Sequence, residues 1–274
     1  MPYRLAGYGD EISSDIQRQM DGLLGSGINF CALRTANTKG ILELEDFQVN
    51  LTKTQFFNRK IRFSSVEAPL GRTLITEPFE GELIRAKHTW KRAKDFEAKV
   101  VVIQTYLVPP GAAPGACKDE VIKRLKVLAE QAKAEGLNLL VENNKGTYAD
   151  NGARFAEVFN SVQAPNLMAA FDPSNFTIAG EDPVRAWDQV KQWVKDIHIR
   201  DVTVQGGVTL PGRGNACLKE ILRISLKNNW AGLLTLEPQM SKSEAYKDQM
   251  TWDSFKIGAA ALQDLLKEIG VAQA

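Results

Sequence analysis

The sequence predicts an α/β protein folded as one (β/α)8 TIM barrel over residues 1–274. Three observations carry that prediction. Short apolar runs rich in β-branched residues alternate with longer amphipathic stretches along the chain. Strict strand–helix alternation means parallel pairing, and Val100-Val101-Val102-Ile103 and Leu137 to Val141 are nearly continuous apolar runs, as strands covered on both faces must be. Eight such units in 274 residues match a barrel of about 250 residues. The rival is a doubly wound open sheet, which usually has fewer strands. Its dinucleotide-binding form needs a G-x-G-x-x-G turn that Gly7-Tyr8-Gly9-Asp10-Glu11 starts and does not finish. There is no P-loop.

In chain order, the strands are expected at Tyr3–Gly7, Ile28–Leu33, Ile61–Val66, Lys99–Tyr106, Leu137–Glu142, Leu167–Asp172, Asp196–Ile199 and Gly232–Glu237. The first helix is expected over Ser14–Leu24, with Ser13 or Ser14 as its N-cap. Phe79–Phe96 follows the third strand. Lys118–Glu135 is the clearest helix, because Val121, Leu125, Leu128, Ala129 and Ala132 recur at three- and four-residue spacing and Gly136 suits its C-terminal cap. Gly152–Val162, Pro183–Val194, Leu218–Lys227 and Trp252–Ile269 complete the set, with Pro183 in a first turn where its missing N–H costs nothing. Val108 to Gly115 and Gly206 to Gly214 read as loops on the face where barrel active sites are built.

Composition narrows the function. Hydrophobic residues make up 44% and charged residues 24%, ordinary globular proportions that exclude wholesale disorder. The net charge of +1 gives no global field for a polyanion, so no nucleic-acid partner is expected. Cys31, Cys117 and Cys217 are odd in number and far apart, against a disulfide framework or a zinc ribbon. No apolar run reaches membrane-spanning length and the first ten residues lack signal-peptide character, so a cytoplasmic location without a membrane partner is expected.

Four successive strands end in metal-ligand chemistry: Glu142-Asn143-Asn144, Asp172-Pro173-Ser174-Asn175, His198-Ile199-Arg200-Asp201 and Glu237-Pro238. A carboxylate closing a buried apolar strand is costly unless it is paired or bound to a cation. Four in a row point to convergence of Glu142, Asp172, His198 and Glu237 on one ion. Three carboxylates and one imidazole suit Mn²⁺ best and also admit Mg²⁺, Co²⁺, Fe²⁺ or Zn²⁺. The chain has two histidines; His88 lies in a charged helix and reads as solvated surface. Arg200, two residues beyond His198, shares its face and is a candidate for holding a substrate hydroxyl, carbonyl or carboxylate.

These strand ends resemble the sugar phosphate isomerase/epimerase-like group of xylose isomerase-type barrels, which includes ketose 3-epimerases, hydroxypyruvate isomerases and inosose dehydratases. The resemblance runs from Gly9-Asp10-Glu11-Ile12 to Leu236-Glu237-Pro238 and is strongest at Val141–Tyr148, Phe171–Phe176, Ile197–Asp201 and Leu236–Pro238. It implies one divalent metal on the four residues and a carbohydrate substrate. It also implies a sugar isomerase or epimerase working through an enediolate, with Glu142 and Glu237 as the acid/base pair. The alternative it leaves is a lyase of dehydratase type on a keto-polyol or sugar acid, using the same site. A zinc nuclease on the same barrel would want more histidines than one; a non-catalytic binding barrel is the remaining reading.

The chain departs from the group at several points. Asn144 stands where many relatives have a second glutamate, and Gly212-Arg213-Gly214 where Gly-Glu-Gly is common, an exchange that would favour an anionic substrate or leave a solvated arginine. Asn175 lies near the position of a histidine in ketose 3-epimerases and is a candidate substrate contact, as is Lys145. Glu67 ends the third strand and either faces substrate or pairs with Arg34, the pairing being the favoured reading. Tyr8 and Tyr106 follow strands and are expected to line the pocket; Trp230 is expected to pack. Relatives often form homo-oligomers, and no sequence feature fixes an interface.

Overall fold

The computed structural model describes residues 3–246 and 251–271. Its barrel strands are β1 (Tyr3–Tyr8), β2 (Phe30–Leu33), β3 (Arg62–Glu67), β4 (Val100–Ile103), β5 (Asn138–Glu142), β6 (Leu167–Phe171), β7 (Val194–Ile199) and β8 (Gly232–Leu236). All pair in parallel with their sequence neighbours, and β1 closes the ring against β8, with Tyr3 opposite Gly232 and Gly7 opposite Leu236. The helices are α1 (Ile16–Gly25), α2 (Asp46–Asn58), α3 (Phe79–Asp95), α4 (Lys118–Ala134), α5 (Gly152–Val162), α6 (Pro173–Ala179), α7 (Pro183–Val190), α8 (Leu218–Lys227) and α9 (Thr251–Glu268).

Two helices escape the sequence pattern. On α2, Phe47 and Leu51 are exposed while Val49 and Phe56 are buried, so its apolar residues form no single stripe. The short α6 is set by its start: Asp172 is the N-cap and Pro173 occupies the first turn. Boundaries also shift. The cap of α1 is Asp15, which accepts from the Arg18 N–H at 3.0 Å; the Ser13 hydroxyl instead accepts from the Asp15 N–H. Strand β4 stops at Ile103, because the N–H groups of Gln104 and Tyr106 turn to the carbonyls of Leu70 and Gly71 and Tyr106 adopts φ 63°. Helix α7 ends at Val190, and Trp193 stacks on Phe159 just before β7 begins.

Most of the core lies between strands and helices. Inside the barrel, Val102, Leu140 and Ala170, one from each of β4, β5 and β6, form a small apolar plug. Alternation along a strand sends the residues two positions further on to the same inner face. Those residues are Gln104, Glu142 and Asp172, so the pleat that builds the plug also builds the floor of the mouth above it.

After β7 the chain forms a two-stranded hairpin, Asp201–Val202 against Val208–Thr209. The buried Asp201 carboxylate fixes the rest of this loop by accepting from the N–H groups of Val202, Gly212, Gly214 and Ala216 at 2.9–3.0 Å. A β-carbon on Gly214 would run into Asp201 Oδ1, the Val202 carbonyl oxygen and the Thr209 hydroxyl. Gly214→Ala should therefore cost about 1–3 kcal/mol in denaturant unfolding. Gly115→Ala, at a position with open space, is the control and should stay within about 0.5 kcal/mol.

Candidate metal and active site

Glu142 at the end of β5, Asp172 just past β6, His198 in β7 and Glu237 just past β8 are all buried, and each offers a ligand atom within 4.8 Å of the other three. His198 Nδ1 is 3.0 Å from Glu142 Oε1 and 3.6 Å from Glu237 Oε2. Asp172 divides its work. Its Oδ1 caps α6 by accepting from the N–H groups of Ser174 and Asn175, while Oδ2 faces Arg200 Nη2 at 3.2 Å. Asp172 Oδ2 and both ring nitrogens of His198 are buried without a partner in hydrogen-bond geometry. Buried polar atoms are almost always satisfied, so unpartnered ones converging with two carboxylates fit a divalent cation.

A second ring of side chains holds these four. Gln104 Nε2 donates to Glu142 Oε2 at 3.0 Å. Arg34, just past β2, donates to Glu237 Oε1 at 2.6 Å, to both oxygens of Asp10 and to Glu11 Oε1 at 3.1 Å. Its guanidinium lies 4.0 Å over the Tyr8 ring, which makes a T-shaped contact with His198, 5.7 Å between ring centroids. Asn143 exchanges two hydrogen bonds with the Asp172 backbone, fixing β5 against the start of α6. Behind His198 lies Asp196, whose oxygens are 2.7 and 2.8 Å from the Thr235 hydroxyl.

Burial raises Asp172 to about 6, since Arg200 offsets only part of the lost hydration. Burial raises Asp196 to about 6 as well, against the smaller opposing effects of His198 and Thr235. For Glu237 burial is overcome by Arg34, then His198 and Arg200, which hold it at about 2. Burial also opposes the charge on His198, yet Glu142, Asp196 and Glu237 together push it up to about 10. Protonated imidazole contributes stability below its ordinary pKa of about 6.5, and this is lost as pH rises through about 10. A metal needs the neutral ring. Between about pH 6.5 and 10, binding should release one proton from His198, so apparent affinity should rise about tenfold per pH unit. Titration calorimetry in buffers of different ionisation enthalpy counts that proton directly.

The other residues expected at the site fall into place unequally. Arg200 is buried, with Nη2 donating to Asn175 Oδ1 at 2.6 Å and Nε without a partner. Asn175 also donates to the Asn143 carbonyl, so its amide orients Arg200. Glu67 is buried and is ion-paired with Arg72, not with Arg34, whose donors are taken by Asp10, Glu11 and Glu237. Burial leaves Glu67 with a raised pKa that nearby Arg34 and Arg72 only partly oppose. Tyr106 does not line the mouth: its ring lies 5.3 Å from the guanidinium of Arg124 on α4, in the helix layer, because its left-handed backbone turns the chain there. Lys145 is exposed on the loop after β5, and Arg213 is exposed beside Glu268 of α9. His88 is exposed, and Trp230 packs outside the barrel, donating to the Val194 carbonyl. Gln104, Asp196 and Thr235 went unnoticed in the sequence. Each lies two residues from an inward-facing position, and that period was the available signal.

The closed (β/α)8 barrel thus carries a buried Glu–Asp–His–Glu cluster at the C-terminal ends of consecutive strands. Residues 25–253 match the xylose isomerase-like TIM barrel family, and the chain belongs to that family. Among curated relatives, inosose dehydratase from Lacticaseibacillus casei is 21% identical over 139 residues, covering 44% of this chain and 47% of that protein. The 3-dehydroshikimate dehydratase of Bacillus anthracis is 23% identical over 103 residues, 37% of each chain. The chain thus spans about half the length, or less, of these relatives. Among solved structures, an IolI protein with a bound zinc atom superposes with a TM-score of 0.81 at 16% identity, over 97% of this chain and 98% of that one. A D-tagatose 3-epimerase-like protein gives 0.74 at 14% identity, over 98% and 100%. No helix among the described residues is long and apolar enough to cross a membrane.

Proposed function

We propose that this protein is a divalent-metal-dependent enzyme that moves a proton beside the carbonyl of a ketose or related polyhydroxylated substrate, as a sugar isomerase or epimerase. The observation that carries the reading is the buried donor cluster of Glu142, Asp172, His198 and Glu237, with atoms on Asp172 and His198 that have no partner in hydrogen-bond geometry. Glu142, Asp172, His198 and Glu237 would hold the ion, with Mn²⁺ the best match to three carboxylates and one imidazole. When bound, the ion supplies the positive charge that polarises a carbonyl and makes the neighbouring C–H acidic.

The chain's own residues do the rest. Glu142 Oε2, steadied by the neutral Gln104 amide, takes the proton from carbon. Glu237, held ionised by Arg34, would complete the pair by first taking a proton from a substrate hydroxyl or water and then giving it to the other face or to the adjacent carbon. Arg200 Nε, buried and without a hydrogen-bond partner, is the donor for a substrate oxygen, while the Asn175 amide oxygen accepts from Nη2 and holds the guanidinium. Glu67 and the exposed Lys145 are the further substrate contacts on this reading.

A dehydratase outcome on the same site is the second reading. The similarity to inosose and 3-dehydroshikimate dehydratases favours it. So does the Arg34 grip on Glu237 Oε1, which weakens one glutamate as a proton carrier. Incubation of the Mn²⁺-loaded protein with a panel of keto sugars, inososes and keto acids in deuterated water separates the two. Deuterium at the carbon beside the carbonyl with an isomeric product supports the isomerase. An unsaturated, water-depleted product supports the lyase. No exchange with any member of the panel contradicts both.

A further inference from the structure

We propose that Asp196 and Thr235 form a support behind His198 that fixes its imidazole, so that Nδ1 is the nitrogen offered to the metal and Nε2 carries the proton. This rests on the metal site proposed above. Asp196 lies two residues before His198 on β7, so both side chains enter the barrel on the same inner face, Asp196 one layer deeper. Thr235, on β8, is in register with His198 and extends its hydroxyl to the Asp196 carboxylate. A hydroxyl has one proton to give, so one carboxylate oxygen receives it and the other remains. That second oxygen, Oδ2, faces His198 Nε2 at 3.9 Å, an electrostatic contact longer than a formed hydrogen bond.

No Lys or Arg pairs with Asp196 among the described residues, and the carboxylate is 1% exposed. A buried carboxylate with an imidazole as its only ionisable partner is costly unless that partner turns an N–H towards it. The geometry at the other nitrogen agrees, because Nδ1 is the one beside Glu142 and Glu237. One ring nitrogen faces the donor cluster and the other faces the carboxylate, which is how protein sites commonly set the tautomer of a ligating histidine. Tyr8 packs against the ring in a T-shaped contact, 5.7 Å between centroids, which limits its rotation. Asp196 is thus a positioning residue, acting on the metal through His198.

The test titrates metal-stripped protein with Zn²⁺ and Mn²⁺ in four forms: wild type, Asp196→Asn, Thr235→Val and His198→Ala. Asp196→Asn should weaken metal binding about 10–100-fold, and Thr235→Val should weaken it less, in the same direction. The thermal midpoint of each metal-free variant reports folding separately. A second readout is the long-range proton–nitrogen spectrum of ¹⁵N-histidine-labelled, Zn²⁺-loaded protein, simple because the chain has two histidines and His88 is exposed. It should show His198 protonated on Nε2. Asp196→Asn with wild-type affinity, or metal on Nε2, overturns the proposal. If His198→Ala loses the metal while Asp196→Asn keeps it, the support alone has failed. If His198→Ala also binds as wild type does, the metal site itself has failed.

Discussion

Glu142→Gln should lower turnover about 10²–10⁴-fold and suppress exchange of the substrate proton with solvent by a similar factor, the range that a positioned carboxylate base contributes. The substitution keeps the side-chain shape and one oxygen beside His198 and removes the basic lone pairs. Gln104, which donates to Glu142 Oε2 at 3.0 Å, can flip its own amide to meet the new one, so folding should be retained. Metal binding should weaken as one anionic ligand becomes neutral. Exchange in deuterated water is the decisive readout, because it follows proton removal whatever the product. Exchange at the wild-type rate in Glu142→Gln would reassign the base. Glu237→Gln should likewise remove turnover, and it also loses the charged half of the Arg34 pair.

Arg34→Met should destabilise the metal-free protein by about 3–5 kcal/mol, because it strips the common partner from three largely buried carboxylates, Asp10, Glu11 and Glu237. For a chain of this size that corresponds to a fall of roughly 5–9 °C in thermal midpoint. The signature that separates this from ordinary loss of packing is rescue. A bound divalent cation compensates Glu237, so saturating Mn²⁺ should recover more stability in Arg34→Met than in wild type. Equal stabilisation of both forms by the ion would mean that Arg34 and the cation do not share Glu237. Arg34→Lys, which keeps the charge and loses the fork across Asp10, Glu11 and Glu237, should fall between the two.

What the sequence made legible was the inner face of the barrel. Glu142, Asp172 and Glu237 are polar residues at the ends of apolar strands and His198 lies one residue before the end of its own, and the cost of burying such groups is visible in one dimension. The structure brings all four within a few ångströms. What was not legible depended on which partner a long side chain chooses. Glu67 and Arg34 are both strand-end residues of neighbouring strands, and nothing in their spacing says that Arg34 crosses to Asp10, Glu11 and Glu237 while Arg72 returns to Glu67. Tyr106 lies away from the mouth because the strand ends three residues sooner than its apolar run predicts; the chain leaves the extended conformation after Ile103 and the ring goes to the helix layer. Helix α2 was missed because burial there does not follow a stripe, with Phe47 and Leu51 left in solvent. Asp196 starts the expected strand, and its two-residue spacing from His198 places it on the same inner face.

The central claim is that Glu142, Asp172, His198 and Glu237 hold one divalent ion. Elemental analysis of protein purified without a metal-binding tag, beside His198→Ala prepared identically, tests it most directly. The account predicts about one equivalent of manganese or a similar divalent ion per chain in the wild type and its loss in the variant. A wild-type protein that holds no metal even after Mn²⁺, Mg²⁺, Co²⁺, Fe²⁺ and Zn²⁺ are each added back, or a His198→Ala variant that holds as much as wild type, would contradict it.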